Sequence, residues 1–260
     1  MPVPAPLEPG QVRRWRHPDA GLLVFSDFDG TLVPIRDDPK DCYLDEEPQH
    51  LLAALAARPQ LRVAVVSGRL LSDLRPRVGV AGIGYVGNHG LEIEIPGHSF
   101  RAPRAVQLRP ELARLAENLR LVLADLPGAW VQDKELTLSV HYRLVAPEQV
   151  AAVLQRVTEV CQPAVQAGHF QLRSGKKVLE VRPAVSWNKG AATQWIAERS
   201  GLSSPWQVIY VGDDETDEDA FAAWPEGLTI RVGGPAPSRA RWRVDGPGQV
   251  LTVLEEILDC

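Results

Sequence analysis

Cysteine is scarce in this 260-residue chain: Cys42, Cys161 and Cys260 are unpaired by count and widely spaced. They form neither a disulfide framework nor a zinc pattern, which fits a reducing cytoplasm. A basic surplus is also missing. Twenty-eight Lys and Arg against thirty-three Asp and Glu leave a net charge of −5, which excludes a surface built for nucleic acid. No apolar run is long enough to cross a bilayer, so no membrane partner is expected. The first twenty residues, Met1 to Ala20, are rich in Pro and Arg and hold no apolar signal core. Export is therefore not expected, and residues 1–20 read as a flexible lead-in.

What the chain does have is 45% hydrophobic residues, enough for one substantial core or two modest ones. Leu22 to Phe25 reads as a buried strand that stops at Asp27-Phe28-Asp29-Gly30-Thr31. Side chains alternate along a strand, so Asp27 and Asp29 start out pointing the same way. Gly30 lets the chain turn, and Thr31 is expected to hydrogen-bond back to the loop. A loop over 34–47 and a short helix at Leu51, Leu52 and Leu55 lead to a second apolar strand, Leu61 to Val66, which ends in Ser67-Gly68-Arg69. A helix over 70–77 and a strand over 83–86 follow, running into Gly87-Asn88-His89-Gly90. This is the βαβ grammar of a parallel sheet.

The pattern changes near Pro103. Leu112, Leu115, Leu119 and Val122 fall at helical spacing, and Trp130 to Tyr142 reads as one extended stretch. A helix over 147–160 follows, then a hairpin of 170–173 and 178–181 turning at Ser174-Gly175. The first grammar resumes with a helix from Asn188 to Arg199 and a strand over 207–211 that closes on Gly212-Asp213-Asp214-Glu215-Thr216-Asp217. A strand over 228–232 and a final amphipathic helix complete the chain. The fold class expected is α/β: a Rossmann-like parallel-sheet core over 21–102 and 187–260, with an inserted α+β domain over 103–186.

Four polar clusters each end or follow a strand of the parallel unit: Asp27 with Asp29, Ser67, Lys189, and Asp213 to Asp217. Carboxyl ends of parallel strands line one crevice, so these distant positions can converge. Alone, each has a plainer reading. Ser67-Gly68 is a turn, Lys189 a solvated cation, and the acidic run a helix N-terminus where negative charge is favoured. Their joint order makes coincidence improbable. Carboxylates with few histidines and no suitable cysteines select a hard, oxygen-loving ion, most simply Mg²⁺. Magnesium with a lysine and a serine suits a phosphoryl group.

Asp-x-Asp-Gly-Thr, the later Ser, the Lys and Gly-Asp-x-x-x-Asp resemble the four motifs of the haloacid dehalogenase-like (HAD) phosphatases. More narrowly, the chain resembles the trehalose-6-phosphate phosphatases. The stretches that carry this begin with Asp27 to Ile35, Ser67-Gly68-Arg69 and Gly87-Asn88-His89-Gly90. Asp133-Lys134, His141-Tyr142-Arg143, Gly175 to Pro183 and Gly212 to Phe221 complete them. The likeness covers all but the lead-in. One departure is Glu135, where the family more often has glycine, and it bears on the sugar-facing loop of the insert.

The resemblance implies a Mg²⁺-dependent phosphatase acting on trehalose 6-phosphate, a cytoplasmic monomer whose partner is the small-molecule sugar phosphate. It implies that Asp27 attacks phosphorus and forms an aspartyl-phosphate, while Asp29 protonates the departing sugar oxygen and then takes a proton from water. Ser67 and Lys189 would grip the phosphoryl oxygens. The metal would be held by Asp27, the backbone carbonyl of Asp29 and Asp213, with Asp217 supporting. The insert would act as a cap, with Lys134, His141, Arg143, Lys176 and Glu180 reading the sugar; Gly68, Arg69 and His89 complete the substrate contacts. Four rivals remain: a receiver-like signalling module phosphorylated on aspartate, a related phosphomutase, a phosphatase for another sugar such as sucrose 6-phosphate, and a catalytically dead homologue serving as a structural or regulatory partner. Size, the Asp29 spacing and the insert count against the first, and the intact Asp27, Asp29, Lys189 and Asp213 against the last.

Overall fold

The computed structural model describes every residue except 37, 38, 203 and 204, so part of the loop expected over 34–47 lies outside the described residues. The chain divides into two compact units, residues 1–100 with 187–260, and residues 101–186. Through the first unit run β1 (Ala5–Pro6), α1 (Gln11–Trp15), β2 (Gly21–Asp27), α2 (Glu46–Ala56), β3 (Leu61–Val66), α3 (Leu71–Val78), β4 (Gly84–Gly87), β5 (Glu92–Ile95) and β6 (His98–Arg101). The second unit holds α4 (Pro103–Val122), β7 (Trp130–Asp133), β8 (Leu138–His141), α5 (Val150–Gln166), β9 (Phe170–Gly175) and β10 (Val178–Pro183). The first unit then resumes with α6 (Lys189–Glu198), β11 (Trp206–Gly212), α7 (Glu218–Ala223), β12 (Leu228–Val232), β13 (Trp242–Val244) and α8 (Pro247–Leu258).

The larger sheet runs β1-β13-β12-β11-β2-β3-β4-β5-β6. It is parallel from β1 to β4, and β5 pairs antiparallel to β4. All seven residues of β2 are buried, as expected of a strand covered on both faces. Leu22 and Val24 pack with Leu52, Leu74 and Leu254 in one core cluster, while Leu23 and Phe25 pack with Ile196 and Phe221 in another. Strand alternation thus fills both layers from one short sequence. The register pairs Ser26 with Val211 and Asp27 with Val66, so β2, β3 and β11 end level and their loops emerge side by side. In the same unit Phe100 stacks on Trp187, ring centroids 4.5 Å apart, at the two points where residues 101–186 leave and return.

Residues 1–20 are not a flexible lead-in. Ala5–Pro6 pairs in parallel with Trp242 and Arg243, and Val12 is fully buried. The Gln207 side chain donates to the Trp15 carbonyl at 3.0 Å and accepts from the His17 amide at 2.7 Å. A two-residue edge strand and a five-residue helix are too short to leave a periodic pattern, and proline is tolerated at a sheet edge. The short strand β13 escaped notice for the same reason.

The second unit has a four-stranded sheet, β7-β8-β10-β9, antiparallel throughout. Leu138, Val140, Leu179 and Val181 turn to one face and pack with Leu112, Leu119, Val153 and Val157 of the two helices. The other face is polar. Residues 130–142 are not one extended stretch but two paired strands, reversing over 134–137 with Lys134 N donating to the Thr137 carbonyl at 2.9 Å. Glu135 makes the reversal at φ +64°, so neither Gly nor Pro marks it. The β9–β10 turn is Lys176-Lys177 rather than Ser174-Gly175, because Gly175 already pairs with Val178. Lys177 supplies the positive φ, +64°, that a tight hairpin turn requires.

Candidate active site

β2 delivers Asp27 to the sheet's carboxyl end, 5% exposed. β11 ends one strand over at Gly212 and hands on to Asp213, and the short 3₁₀ turn Glu215–Asp217 folds Asp217 inward, fully buried. α6 starts at Lys189, just after Asn188 caps it through Ala191 N at 2.9 Å. A cation at a helix N-terminus opposes the helix dipole, so this lysine is held there by something stronger. Its ammonium, 2% exposed, donates to Asp27 Oδ1 at 2.7 Å and to Asp217 Oδ1 at 2.8 Å.

Asp217 is fixed from three sides: besides the Lys189 ammonium, Tyr210 donates its hydroxyl to Oδ1 at 2.6 Å, and Asp214 N donates to Oδ2 at 3.0 Å. Burial works against the Lys189 ammonium, yet Asp217 and Asp27 hold its pKa above the ordinary lysine value. Burial pushes the Asp27 carboxyl well above the usual carboxylate range against the pull of Lys189, with Asp217 and Asp213 adding to the push. Burial, with Asp217 alongside, likewise raises the Tyr210 phenol, which keeps its proton and donates it.

Asp27, Asp213 and Asp217 each offer a carboxylate oxygen, all within 4.8 Å of one another. Two glycines make room for the group: a Cβ on Gly30 would stand 2.4 Å from Asp213 Oδ2, and one on Gly212 2.3 Å from Asp217 Cγ. Lys189 offsets only part of the charge of three converging carboxylates, and a further cation among them would offset the rest. An all-oxygen donor set of this kind fits a hard divalent ion. The side chain of Asp29 lies outside the cluster, since Arg69 holds it through Nε at 2.7 Å and Nη2 at 2.6 Å.

Ser67 follows β3 directly, 1% exposed, and its hydroxyl accepts from Arg69 N at 3.1 Å. Gly68 lies under the His89 ring, where a Cβ would come 2.2 Å from Cε1. Arg69 also reaches Asp73 at 3.1 Å and lies over the Phe28 ring. Thr31 does not bond back through its side chain as expected; its hydroxyl is buried with no partner among the described residues. The structure thus gathers Asp27, Lys189, Asp213 and Asp217 into one cluster, and ties Asp29 to Arg69 beside it.

Lys134, His141, Arg143, Lys176 and Glu180 lie in the second unit. Glu180, on the polar face of its sheet, accepts from Lys134 and Ser139 at 3.2 Å each and from Arg182 Nε at 2.7 Å. His141 stacks on the half-exposed Trp130, ring centroids 4.0 Å apart, and its Nε2 lies 2.9 Å from Gln132 Oε1. Burial first, and Lys134 second, lower its imidazole to about 4, so it is neutral at pH 7. Arg143 donates to the Lys176 carbonyl at 3.2 Å, and both side chains are exposed.

Sequence reasoning missed Tyr210 and Glu92, and named Asn88 only as part of the Gly87–Gly90 motif. Tyr210 had one signal, a hydroxyl in an otherwise apolar strand just before the acidic run. Glu92 reads as the polar half of an alternating strand, yet it is fully buried and accepts from Asn88 Nδ2 at 2.8 Å.

A family model described as trehalose-phosphatase matches residues 25–239. The trehalose-phosphate phosphatase of Mycobacterium tuberculosis (strain H37Rv) is 39% identical over 243 residues, covering 90% of this chain and 60% of that protein. The chain therefore spans about 60% of the length of the curated relatives it matches first. Among solved structures, a trehalose-6-phosphate phosphatase related protein superposes with a TM-score of 0.79 at 27% identity, over 91% of this chain and 97% of that one. The C-terminal domain of the Candida albicans trehalose-6-phosphate phosphatase gives 0.83 at 21% identity, over 99% and 98%, a likeness of fold.

Proposed function

Since this chain belongs to the trehalose-phosphatase family of HAD-type α/β phosphatases, we propose that it hydrolyses trehalose 6-phosphate to trehalose and phosphate. The observation that carries the reading is the buried Lys189 bridging Asp27 and Asp217 beside Asp213. That arrangement supports reading Asp27 as the nucleophile and Lys189 as its cation, with the three carboxylates as a divalent-ion site.

Asp27 is the nucleophile. One of its oxygens bonds to phosphorus as the bond from phosphorus to the sugar oxygen breaks, and Asp29 gives that oxygen a proton. Water then attacks the aspartyl-phosphate, loses its proton to Asp29, and frees both phosphate and the Asp27 carboxylate. Both Asp29 oxygens are held by Arg69 in the structure, so proton delivery requires the pair to part. Ser67 and Lys189 bind the phosphoryl oxygens, where the transition state gathers charge. Asp27, Asp213 and the Asp29 carbonyl would hold Mg²⁺, while Asp217 orients Lys189. When bound, the ion neutralises phosphoryl charge and favours ionised Asp27.

Sugar recognition falls to the second unit, with Lys134, His141, Arg143, Lys176 and Glu180 as the hydroxyl-reading groups, and Gly68, Arg69 and His89 as contacts of the first. The protein would act as a monomer in the cytoplasm; no helix among the described residues is long and apolar enough to cross a membrane. The test is a substrate panel with Mg²⁺. Phosphate release from trehalose 6-phosphate should far exceed that from glucose 6-phosphate or sucrose 6-phosphate. Equal rates on all three would remove the sugar assignment, and no release from any would remove the enzyme.

A further inference from the structure

The turn at Asn88–Gly90 lies between the Ser67 loop and the start of α6, whose Ser67 and Lys189 bind the phosphoryl oxygens in the proposed function; a role for the turn rests on that proposal. On one side the turn is tied to the Ser67 loop. Asn88 N donates to the Arg69 carbonyl at 2.7 Å, His89 N to the Ser67 carbonyl at 3.0 Å, and Ser67 N to the Val86 carbonyl at 2.8 Å. On the other side it abuts the start of α6. Trp187 Nε1 donates to the Gly90 carbonyl at 2.5 Å, and a Cβ on Gly90 would stand 2.5 Å from the Asn188 carbonyl oxygen. Lys189 is the next residue. The span from the Ser67 loop to Lys189 is therefore set through this turn.

Asparagine and histidine tolerate a left-handed backbone better than most side chains, but two in succession need outside support. Asn88 and His89 are consecutive non-glycine residues at φ +48° and +57°. Such a backbone persists only where the surroundings over-determine it. Glu92, fully buried one strand-start away, does so with a single oxygen. Its Oε2 accepts from Asn88 Nδ2 at 2.8 Å and from Leu71 N, the first residue of α3, at 3.3 Å. Gly87 permits the approach, since a Cβ there would stand 2.8 Å from Leu71 N. Neither Asn88 nor Glu92 belongs to the acidic cluster.

We infer that Asn88 and Glu92 are positioning residues for the phosphoryl group: their buried amide–carboxylate contact locks the left-handed turn that fixes the Ser67 hydroxyl at a set span from the Lys189 ammonium. They touch no reacting atom and act through Ser67. Metal binding, served by other residues, is independent of them.

The test is calorimetric binding of inorganic phosphate to the Mg²⁺-loaded full chain, for the wild type, Asn88→Ala, Ser67→Ala and the double variant. Each single change should weaken phosphate about tenfold, and the double variant should be within about twofold of Ser67→Ala alone. Mg²⁺ affinity without phosphate should be unchanged. Glu92→Gln keeps an oxygen for the Asn88 amide and should retain more phosphate affinity than Asn88→Ala. If Asn88→Ala does not fold, Asn88→Gly, which accepts the positive φ but lacks the amide, takes its place in the cycle. Unchanged phosphate affinity in either single variant, fully multiplying losses in the double, or a parallel fall in Mg²⁺ affinity would overturn the inference. Inorganic phosphate binding needs no turnover, so a failed sugar panel and a failed positioning role give different results.

Discussion

Arg69 holds both carboxylate oxygens of Asp29, its Nε at 2.7 Å and its Nη2 at 2.6 Å, with its guanidinium lying over the Phe28 ring. A planar fork of this kind fixes a carboxylate in direction as well as distance. Lysine could keep the charge but not the fork. Because Asp29 acts in both displacements of the proposed reaction, Arg69→Lys should lower turnover of trehalose 6-phosphate about 10- to 100-fold and slow formation of the aspartyl-phosphate as well. Steady-state kinetics and intact-protein mass spectrometry measure the two effects separately.

Asp27→Asn replaces the carboxylate proposed to attack with a neutral amide and leaves the shape of the site. Turnover should fall about 10⁴-fold or more, and no phosphoryl group should appear on the protein. Asp29→Asn is the informative partner: retention of one phosphoryl group by the intact protein would place the block after attack, and its absence before.

If the three carboxylates within 4.8 Å of one another hold a divalent ion, as proposed, the folded state should bind it better than the unfolded chain. Adding Mg²⁺ at a hundredfold excess over its dissociation constant should stabilise the protein by about 2.7 kcal/mol, read as a rise in Tm that EDTA reverses. Asp213→Asn should lose most of that rise while keeping the Lys189 bridge. A Tm indifferent to Mg²⁺ would count against the site.

His141 gives stability an acid limb. Its folded pKa is lowered to about 4 from 6.5, by burial and then by Lys134. The unfolded chain takes up the proton first as pH falls, so stability present above pH 6.5 is lost progressively toward pH 4. Discounted for partial exposure, the loss is on the order of 1–2 kcal/mol. Urea denaturation at pH 7 and 4.5 should show a smaller difference for His141→Gln than for the wild type.

Glu135 occupies φ +64°, a conformation glycine adopts without penalty. Its compensations are an exposed ion pair to Arg109 at 3.0 Å and its own amide donating to Asp133 Oδ1 at 2.8 Å. Only the first depends on the side chain, and exposed pairs contribute little. Glu135→Gly should therefore stabilise the second unit by about 1 kcal/mol, measured by thermal or urea unfolding. The turn survives the departure from the family's usual glycine because Asp133 and Thr137 hold its backbone.

Much of this was legible in the chain itself. β3 and β12 were read with their observed bounds, since an uninterrupted apolar run between polar turns has few alternatives. The convergence of Asp27, Lys189, Asp213 and Asp217 followed from each ending or following such a run. The Lys134–Thr137 reversal was not legible, because a charged residue sits where a turn normally announces itself with glycine. Nor was the Arg69–Asp29 fork, since nothing local says which of many arginines a carboxylate will meet. Tyr210 and Glu92 were hidden for a related reason: each is polar within a strand whose local pattern is fully explained without it.

The stack of Phe100 on Trp187, at 4.5 Å, fastens the exit of residues 101–186 to their re-entry. A polypeptide excursion that begins and ends at one welded point adds little to the closure entropy of its host, whatever its length. The nine-stranded platform is accordingly complete without its guest, and a brief linker from residue 100 to residue 187 should yield a truncated protein that still folds and still captures the ion.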